Sequence, residues 1–168
     1  MCKENLLYNI ASNGECKRKH ITNKKVDPYR HFSAVVSTSG RKIYAEGYNH
    51  KRGIYSPSIH AEAHCMQKLL NRNIKGRVNI VVIRTDFNNS KPCSNCIGLM
   101  NKCKENGLNI HNIYYSNEGY LVKKTLVSLT NEKHHISKGF RMLGFGEDEE
   151  DNENLEEDLV YFDIKGIG

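Results

Sequence analysis

The sequence predicts a three-layer α/β domain with a central mixed sheet of five strands flanked by helices. Two strand-like segments joined by a turn sequence predict a β-hairpin near the start of the domain. A near-continuous apolar run then follows a helical segment, and a further helix and two more strands come after it. The order hairpin, helix, strand, helix, strand, strand is typical of helices packed on a mixed sheet.

The first part of the chain is predicted to contain one helix, one loop and one hairpin. Residues 3–12 carry apolar side chains at helical spacing and predict a short helix. Residues 13–30 are polar and basic, which favours a loop. Residues 31–38 and 42–49 are strand-like, and the turn residues Ser39-Gly40-Arg41 between them predict that the two strands form a hairpin.

The middle of the chain alternates between helical and strand-like segments. Residues 60–72 place apolar side chains along one helical face and predict a helix. Residues 77–84 form a near-continuous apolar run, which is typical of a strand buried on both faces. A second helix is predicted over residues 92–106, followed by strands over residues 110–115 and 120–126.

The charge divides the chain into a basic domain and an acidic tail. Residues 1–146 hold 24 Lys and Arg against 9 Asp and Glu, a net charge of +15. Residues 147–168 hold one Lys against 10 acidic residues, a net charge of −9. We therefore predict a domain over residues 1–143 and an acidic tail over residues 144–168, with disorder expected in the part that is poor in apolar side chains. The basic domain suits anionic partners, namely nucleotides or nucleic acid, and a solvated lysine-rich surface is the simpler alternative.

Length and cysteine content limit the class of protein. The chain has 168 residues, which fits one domain, and it lacks an apolar run of the roughly 18 residues that span a bilayer. Six cysteines without a secretory signal predict a reducing, cytoplasmic compartment. Under such conditions neighbouring cysteines bind metal more often than they form disulfides.

Two short motifs carry the residues that could bind a metal. His60-Ala61-Glu62 opens one predicted helix, and Pro92-Cys93-Ser94-Asn95-Cys96 opens the next. One His and two Cys leave a fourth position for water, which is the ligand set of a catalytic zinc site. Cys93 and Cys96 are three residues apart, so both sulfurs can lie on one face of a first helical turn, with Pro92 at the helix start. We therefore predict one zinc ion held by His60, Cys93 and Cys96.

The spacing of His60 and Glu62 indicates where the metal lies. Two residues two positions apart point to opposite sides of a helix, so they can converge only on a group beyond the helix end. This predicts a metal that faces the N-termini of both helices. Glu62 then need not bind the metal and can act as the proton shuttle for the bound water.

A purely structural zinc site is the alternative interpretation, and it would need a fourth protein ligand. Cys65 and Cys103 could provide one, but both fall on later helical turns, where buried and inert thiols are expected. His64 lies four residues after His60, as in zinc-protease motifs. Those motifs need Glu directly after the first His, and Ala61 stands there instead, so we reject that interpretation.

His-x-Glu followed by Pro-Cys-x-x-Cys is the signature of zinc-dependent deaminases. On these motifs the sequence resembles the zinc-dependent cytidine deaminase superfamily, most closely its cytidine/deoxycytidylate type, over about residues 32–115. The resemblance implies a cytidine-deaminase-like fold in which the predicted zinc ligands and Glu62 carry out the reaction. Gly47-Tyr48-Asn49 resembles the family's Gly-x-Asn, which implies that Asn49 binds the sugar of the substrate. The backbone at Ala61 is implied to contact the base. Residues 86–91 are longer and more polar than the family's approach to the cysteines, and this loop is expected to border the pocket.

The function expected from these features is hydrolytic deamination of a cytosine nucleotide or nucleoside, as part of nucleotide metabolism. Two alternatives stay open: a deaminase that acts on a base within nucleic acid, and a deaminase-fold protein that binds or assembles without catalysis. We expect a small-molecule substrate, nucleic acid as the alternative partner, no membrane association, and a homo-oligomer. Tyr114-Tyr115 is predicted to lie half in the core and half on the surface, and His134-His135 in a solvated loop or at the pocket rim.

Overall fold

A computed structural model describes residues 31–49, 59–84 and 86–136 of the chain. Its elements, in order, are β1 (His31–Ser37), β2 (Ile43–Tyr48), α1 (Ala61–Asn71), β3 (Gly76–Arg84), α2 (Ser94–Glu105), β4 (Leu108–Asn117), β5 (Tyr120–Lys124) and α3 (Leu126–Asn131). The helix predicted over residues 3–12, the loop predicted over residues 13–30 and the acidic tail lie outside the described residues.

The strands form one mixed sheet in the order β2-β1-β3-β4-β5. β3 and β4 pair in parallel, with α2 as the connection between them. The pairs β1–β2, β1–β3 and β4–β5 are antiparallel. The predicted α/β class with a mixed five-stranded sheet is therefore confirmed.

The sheet is buried on both faces, as a three-layer arrangement requires. All three helices contribute to the larger core on one face, through Met66 of α1, Met100 of α2 and Leu129 of α3. The opposite face buries a second apolar cluster that contains Phe32 and Tyr114. Burial on both faces explains why β3 has a near-continuous apolar sequence.

The sequence does not predict the short helix α3. A strand is predicted over residues 120–126, whereas β5 ends at Lys124 and α3 begins at Leu126. Thr125 caps α3, and its Oγ1 accepts a hydrogen bond from the backbone N–H of Ser128 at 3.1 Å. The two buried residues of α3, Leu126 and Leu129, are too few to produce a recognisable helical period. None of the helices in the described ranges is long and apolar enough to cross a membrane.

Helix α2 begins at Ser94, two residues later than predicted. Cys93 has an extended backbone (φ −74°, ψ 166°) and is the N-cap of the helix. Pro92 therefore precedes the cap and does not occupy the first helical position. This places Cys93 beyond the end of the helix, where its side chain can reach groups on other elements.

The prediction for Tyr114 and Tyr115 is wrong, because both are buried. Tyr114 is 4% exposed and belongs to the second apolar cluster, whereas Tyr115 is 1% exposed and belongs to the larger core. Successive residues of a strand point to opposite faces of the sheet. Since both faces are covered, both rings are core residues.

Candidate metal centre and active site

The two motifs begin two helices whose N-termini meet at one place. His60 is the N-cap of α1 (φ −72°, ψ 153°), and Cys93 is the N-cap of α2. An N-cap residue has a non-helical backbone, so its side chain can extend past the end of the helix. The predicted convergence of the metal-binding residues beyond both helix ends is thus observed.

The three predicted ligand atoms have the spacing that zinc requires. His60 Nδ1 lies 3.4 Å from Cys93 Sγ and 3.5 Å from Cys96 Sγ, and all three atoms lie within 4.8 Å of one another. A tetrahedral zinc ion with bonds of about 2.05 Å to nitrogen and 2.3 Å to sulfur separates such atoms by about 3.5 Å. The donor set therefore fits zinc with a fourth position left for water. Within the described ranges, no other group of three such side chains gathers in this way.

A hydrogen bond couples the two sulfurs and shifts their pKa values in opposite directions. The hydrogen bond with Cys96, together with the neighbouring His60, lowers the pKa of Cys93 well below the usual value of a thiol. The same hydrogen bond raises the pKa of Cys96. Zinc binds thiolates and releases their protons. The lowered pKa within this pair favours the thiolate form that zinc binds.

Glu62 lies in the first turn of α1, close to the metal-binding group but not part of it. Its side chain is buried, and this burial raises the pKa of the carboxyl to about 7, although the charge of His60 opposes the shift. A carboxyl group with such a pKa can take up and release a proton near neutral pH. Glu62 is thus a buried carboxyl group beside the metal-binding residues, and its pKa is raised toward neutrality.

Asn49 follows β2 and is fixed against the start of β1. Its Oδ1 accepts a hydrogen bond from the backbone N–H of His31 at 2.8 Å, and its own backbone N–H donates to the carbonyl of His31 at 3.3 Å. Gly47 allows β2 to pass directly against α1, because a Cβ atom at this position would lie 2.4 Å from the carbonyl oxygen of Ala61. The fold therefore requires Gly47 and Asn49 for different reasons. Gly47 leaves room for α1, and Asn49 binds the backbone of His31.

A cavity of about 380 Å³ opens beside the metal-binding group. His60, Glu62 and Cys93 form part of its wall, and Asn49 contributes to the same wall. A volume of this size is within the range of small-molecule sites. A buried carboxyl group, two of the metal-binding residues and a fixed amide therefore line one cavity.

Comparison with known proteins identifies the family. Residues 15–111, more than half of the chain, match the family model described as the cytidine and deoxycytidylate deaminase zinc-binding region. This chain belongs to the cytidine and deoxycytidylate deaminase family. The resemblance inferred from the motifs is confirmed, and zinc is the cofactor of the site.

A solved structure of a cytidine deaminase shares its fold with this chain. The crystal structure of cytidine deaminase from Mycobacterium leprae superposes with a TM-score of 0.51 at 18% identity, covering 72% of this chain and 93% of that chain. Cytidine deaminase from Burkholderia pseudomallei gives a TM-score of 0.49 at 19% identity, covering 70% of this chain and 94% of that chain. At this level of identity the first likeness concerns the fold alone. No curated protein matches the chain by sequence.

The polar loop of this deaminase-family chain, residues 86–91, borders the cavity as predicted. Asn89, Ser90 and Lys91 line the cavity wall. Ser90 ties the loop to β4, because its backbone N–H donates to the carbonyl of Ser116 and its hydroxyl lies 2.8 Å from the Ser116 hydroxyl. The loop is thus a fixed part of the pocket wall.

Ala61 is fully buried, and it is not among the residues that line the cavity. Its carbonyl faces Gly47 of β2, as the close approach of these two positions shows. The predicted contact between the Ala61 backbone and the base remains a prediction.

The alternative ligands lie outside the metal-binding group of the described residues. Cys65 and Cys103 are buried thiols, as predicted, and neither belongs to the metal-binding group of the described residues. Cys65 Sγ donates to the carbonyl of Ser33 at 3.1 Å, and burial raises its pKa to about 12. His64 Nδ1 accepts a hydrogen bond from the backbone N–H of Tyr48 at 3.3 Å. Hydrogen bonds thus hold Cys65 and His64 in the fold, and Cys103 is buried outside the metal-binding group.

Sequence reasoning does not find several residues of the cavity wall. His31 and Arg84 line the cavity but belong to no motif. His31 and Arg84 are far apart in sequence and become neighbours because β1 and β3 pair in that register. His135, predicted in a solvated loop or at the pocket rim, lies in the cavity wall. No local spacing pattern marks such residues.

Proposed function

We propose that this protein is a zinc-dependent hydrolytic deaminase that converts cytosine to uracil in a free nucleotide or nucleoside. The observation that carries this proposal is the position of Glu62, which is buried in the cavity wall beside three side chains with the spacing of a zinc site. In a structural zinc site a fourth protein ligand normally fills the last position, and no carboxyl group is needed beside the metal.

Glu62 is proposed to move the protons of the reaction. Zinc in such a site supplies acidification of water, whose pKa falls to about 7. The Glu62 carboxylate takes a proton from water and delivers it to the ring nitrogen, which makes C4 open to attack by the water oxygen. When the bond between C4 and the amino group breaks, Glu62 passes the second water proton to the departing ammonia. The net reaction consumes one water molecule, replaces the amino group at C4 by a carbonyl and releases ammonia.

Asn49 is proposed to bind the sugar, and the backbone of Ala61 to contact the base. The support for Asn49 is its place in the wall of the same cavity as Glu62 and its fixation by the backbone of His31. A side chain that is already held by the fold loses little entropy when it binds a ligand. The support for Ala61 is the family motif and the position of Ala61 next to Glu62 in the chain.

We propose a nucleotide in preference to a nucleoside, because two cationic side chains lie in the cavity wall. Arg84 and Lys91 both line the cavity. Arg84 is paired with Asp86 at 3.1 Å and Lys91 with Glu132 at 2.8 Å, so both cationic side chains have a defined position. Cationic side chains at fixed positions suit the phosphate of a nucleotide.

The net charge of the basic part of the chain supports nucleic acid as a second class of substrate. The +15 carried by residues 1–146 would attract a phosphate backbone at low salt.

We also propose a cytoplasmic role in nucleotide metabolism, in line with the four free cysteines of the described residues. Assembly into a homo-oligomer is proposed from the sequence alone.

A substrate screen tests this proposal. Zinc-loaded protein is incubated with dCMP, CMP, deoxycytidine, cytidine and single-stranded DNA, and ammonia and the uracil product are measured. We expect turnover of a free cytosine substrate, with the monophosphates preferred, and none in a Cys93→Ala variant that lacks zinc. Arg84→Gln should reduce the preference for the monophosphate over the nucleoside. Turnover of single-stranded DNA without turnover of free substrates would replace the proposal by its nucleic-acid alternative.

A further inference from the structure

The segment that follows α3 contacts the chain on both sides of the zinc ligand Cys93. We call residues 132–135 the brace. The imidazole Nδ1 of His134 lies 3.0 Å from the carbonyl oxygen of Pro92, the residue before Cys93. The backbone N–H of Ser94, the residue after Cys93, donates to the carbonyl of His135 at 3.3 Å. Two successive residues of the brace therefore hold the two neighbours of one metal ligand.

We propose that the brace is a positioning element for zinc, which holds the backbone around Cys93 so that its sulfur is in place to bind the metal. The proposal goes beyond deaminase activity, because it concerns zinc affinity and applies whichever substrate the protein takes. Residues that hold metal ligands in place typically account for about 10–100-fold in metal affinity.

The contact with Ser94 uses a group that the helix itself cannot satisfy. The first backbone N–H groups of a helix have no acceptor within the helix. Ser94 is the first residue of α2, and the carbonyl of His135 supplies its acceptor. Because Cys93 is the N-cap, it has no helical hydrogen bond that would fix its own backbone N–H. Contacts on its two neighbours are thus an effective way to hold it.

The ring of His134 connects α3 to the cysteine loop. Its Nδ1 faces the carbonyl of Pro92, and its Nε2 faces the carbonyl of Leu129. Carbonyl oxygens only accept hydrogen bonds, so the neutral ring can donate to one of them and the protonated ring to both. Leu129 itself is fully buried in the larger core. His134 therefore links the loop before α2 to a rigid part of the fold.

An ion-pair cluster fixes the first residue of the brace. Glu132 Oε2 lies 2.8 Å from Lys91 Nζ, and Glu132 Oε1 lies 3.3 Å from Lys124 Nζ. The hydroxyl of Ser128 also donates to Glu132 Oε1 at 3.2 Å. The Glu132 side chain is 13% exposed, so solvent screens these contacts less than those on an open surface. Glu132 joins β5, α3 and the residue that precedes Pro92.

The brace also faces the pocket, because His135 lines the cavity together with Cys93 and Glu62. His134 and His135 therefore contact the loop that carries Cys93, and His135 also forms part of the cavity wall. A displacement of the brace would move Cys93 and the pocket wall together. Sites of this kind need their ligands held within about 0.5 Å of the working geometry.

Zinc affinity of full-length variants tests the proposal. Binding of zinc alone is measured by competition with a chromophoric chelator, and thermal unfolding is measured with and without zinc. We expect His134→Ala to weaken zinc binding by about tenfold or more, the lower end of the usual range. Glu132→Gln should weaken it in the same direction. His134→Asn, whose amide can replace the Nδ1 donor, should recover part of the loss.

The matched control is His111→Ala, which removes another partly exposed histidine that hydrogen-bonds a side chain, that of Arg77 at 2.8 Å. It should leave zinc affinity unchanged. A merely structural brace would lower the melting temperature of the zinc-free and zinc-loaded forms equally, without a change in zinc affinity. Zinc binding as tight as that of the unchanged protein in both His134→Ala and Glu132→Gln would overturn the proposal. If His134→Ala does not fold, His134→Asn and Glu132→Gln decide the question by the same measurement.

Discussion

At the scale of single residues, the chemistry depends on side chains that the backbone fixes in advance of ligand binding. His60 and Cys93 are both N-cap residues, so two helix starts bring two different metal ligands to one point. Glu62 is buried next to them, and Asn49 is held by the backbone of His31. Such preorganisation reduces the entropy that binding must otherwise remove.

Replacement of Asn49 by alanine is predicted to weaken substrate binding without loss of zinc. The variant removes one hydrogen-bonding side chain from the cavity wall, and one such bond contributes about 0.5–1.5 kcal/mol, or roughly two- to tenfold in affinity. KM for the preferred cytosine substrate and zinc content are measured together. Asn101→Ala is the control, because its amide bonds Thr130 at the surface of α2. An unchanged KM in Asn49→Ala would remove this residue from the substrate site.

The metal ligands could be predicted from sequence because their signal is local. A Cys-x-x-Cys at one helix start and a His-x-Glu at another are enough to define the donor set, since each motif is contained in a few consecutive residues. Arg84 and His31 could not be predicted in this way. They meet only through the register of β1 and β3, which depends on the packing of the whole sheet.

At the scale of elements, the approach of β2 to α1 decides whether the site can form. Gly47 leaves no room for a side chain, since an added Cβ would lie 2.4 Å from the Ala61 carbonyl and 2.9 Å from the Cys65 sulfur. The first turn of α1 carries Glu62 and follows His60. A shift of β2 at this contact would therefore displace both residues.

Gly47→Ala is predicted to destabilise the fold. Overpacking of a tight contact typically costs about 1–3 kcal/mol. Gly98→Ala is a matched control, because nothing lies within 4 Å of a Cβ at this helical position. Alanine in a helix interior is favoured over glycine by roughly 0.5–1 kcal/mol, so the control should be neutral or stabilising. Urea unfolding measures both variants, and equal stabilities would show that the contact between β2 and α1 is not tight.

The ion pairs of Glu132 are predicted to stabilise the fold at neutral pH and to lose this effect in acid. Burial by itself would raise the pKa of Glu132, but Lys91 and Lys124 outweigh this effect and hold the pKa below its ordinary value. A carboxyl with a lowered folded-state pKa contributes fully above its unfolded value of about 4.3, and the contribution is lost as the pH falls through the folded value. The stability difference between the protein and Glu132→Gln should therefore narrow below about pH 4.3. A difference that stays constant from neutral pH to about pH 3 would refute this role.

The helices and strands that could be predicted are those whose own sequence has a clear turn, helical or apolar pattern. The hairpin, α1 and β3 have clear turn, helical or apolar patterns, and the structure places them within one or two residues of the prediction. The helix α3 has two buried residues and a single capping residue, so its pattern is too short to separate from the end of β5. The brace that follows it has no sequence signature at all, because its function depends on where α3 places it.

At the scale of the whole molecule, the opposite charges of the two parts of the chain are the dominant feature. Residues 1–146 carry +15 and residues 147–168 carry −9. The described residues lie within the predicted domain over residues 1–143, and the tail over residues 144–168 lies outside them. Both the division at this point and the predicted homo-oligomer therefore remain predictions.

The acidic tail is predicted to compete with anionic ligands for the basic domain. A tethered acidic segment has a high effective concentration near a basic surface, so weak contacts persist. Truncation after Gly146 should raise the affinity for nucleotide or single-stranded nucleic acid at low salt. The gain should vanish at about 1 M salt, where the Debye length is roughly 3 Å. Equal affinities of truncated and full-length protein at low ionic strength would mean that the tail serves only solubility.

Turnover by Glu62→Gln at equal zinc content tests most directly whether this site deaminates cytosine with Glu62 as the proton shuttle. The substitution keeps the size of the side chain and removes the group that transfers protons, while the metal-binding residues are left intact. General acid–base groups contribute about 10²–10⁴-fold, so kcat for conversion of the preferred cytosine substrate to its uracil product should fall by this factor. Equal turnover in the two proteins would contradict the role of Glu62. Absence of any uracil product from the zinc-loaded, unchanged protein with all cytosine substrates would contradict the proposed reaction itself.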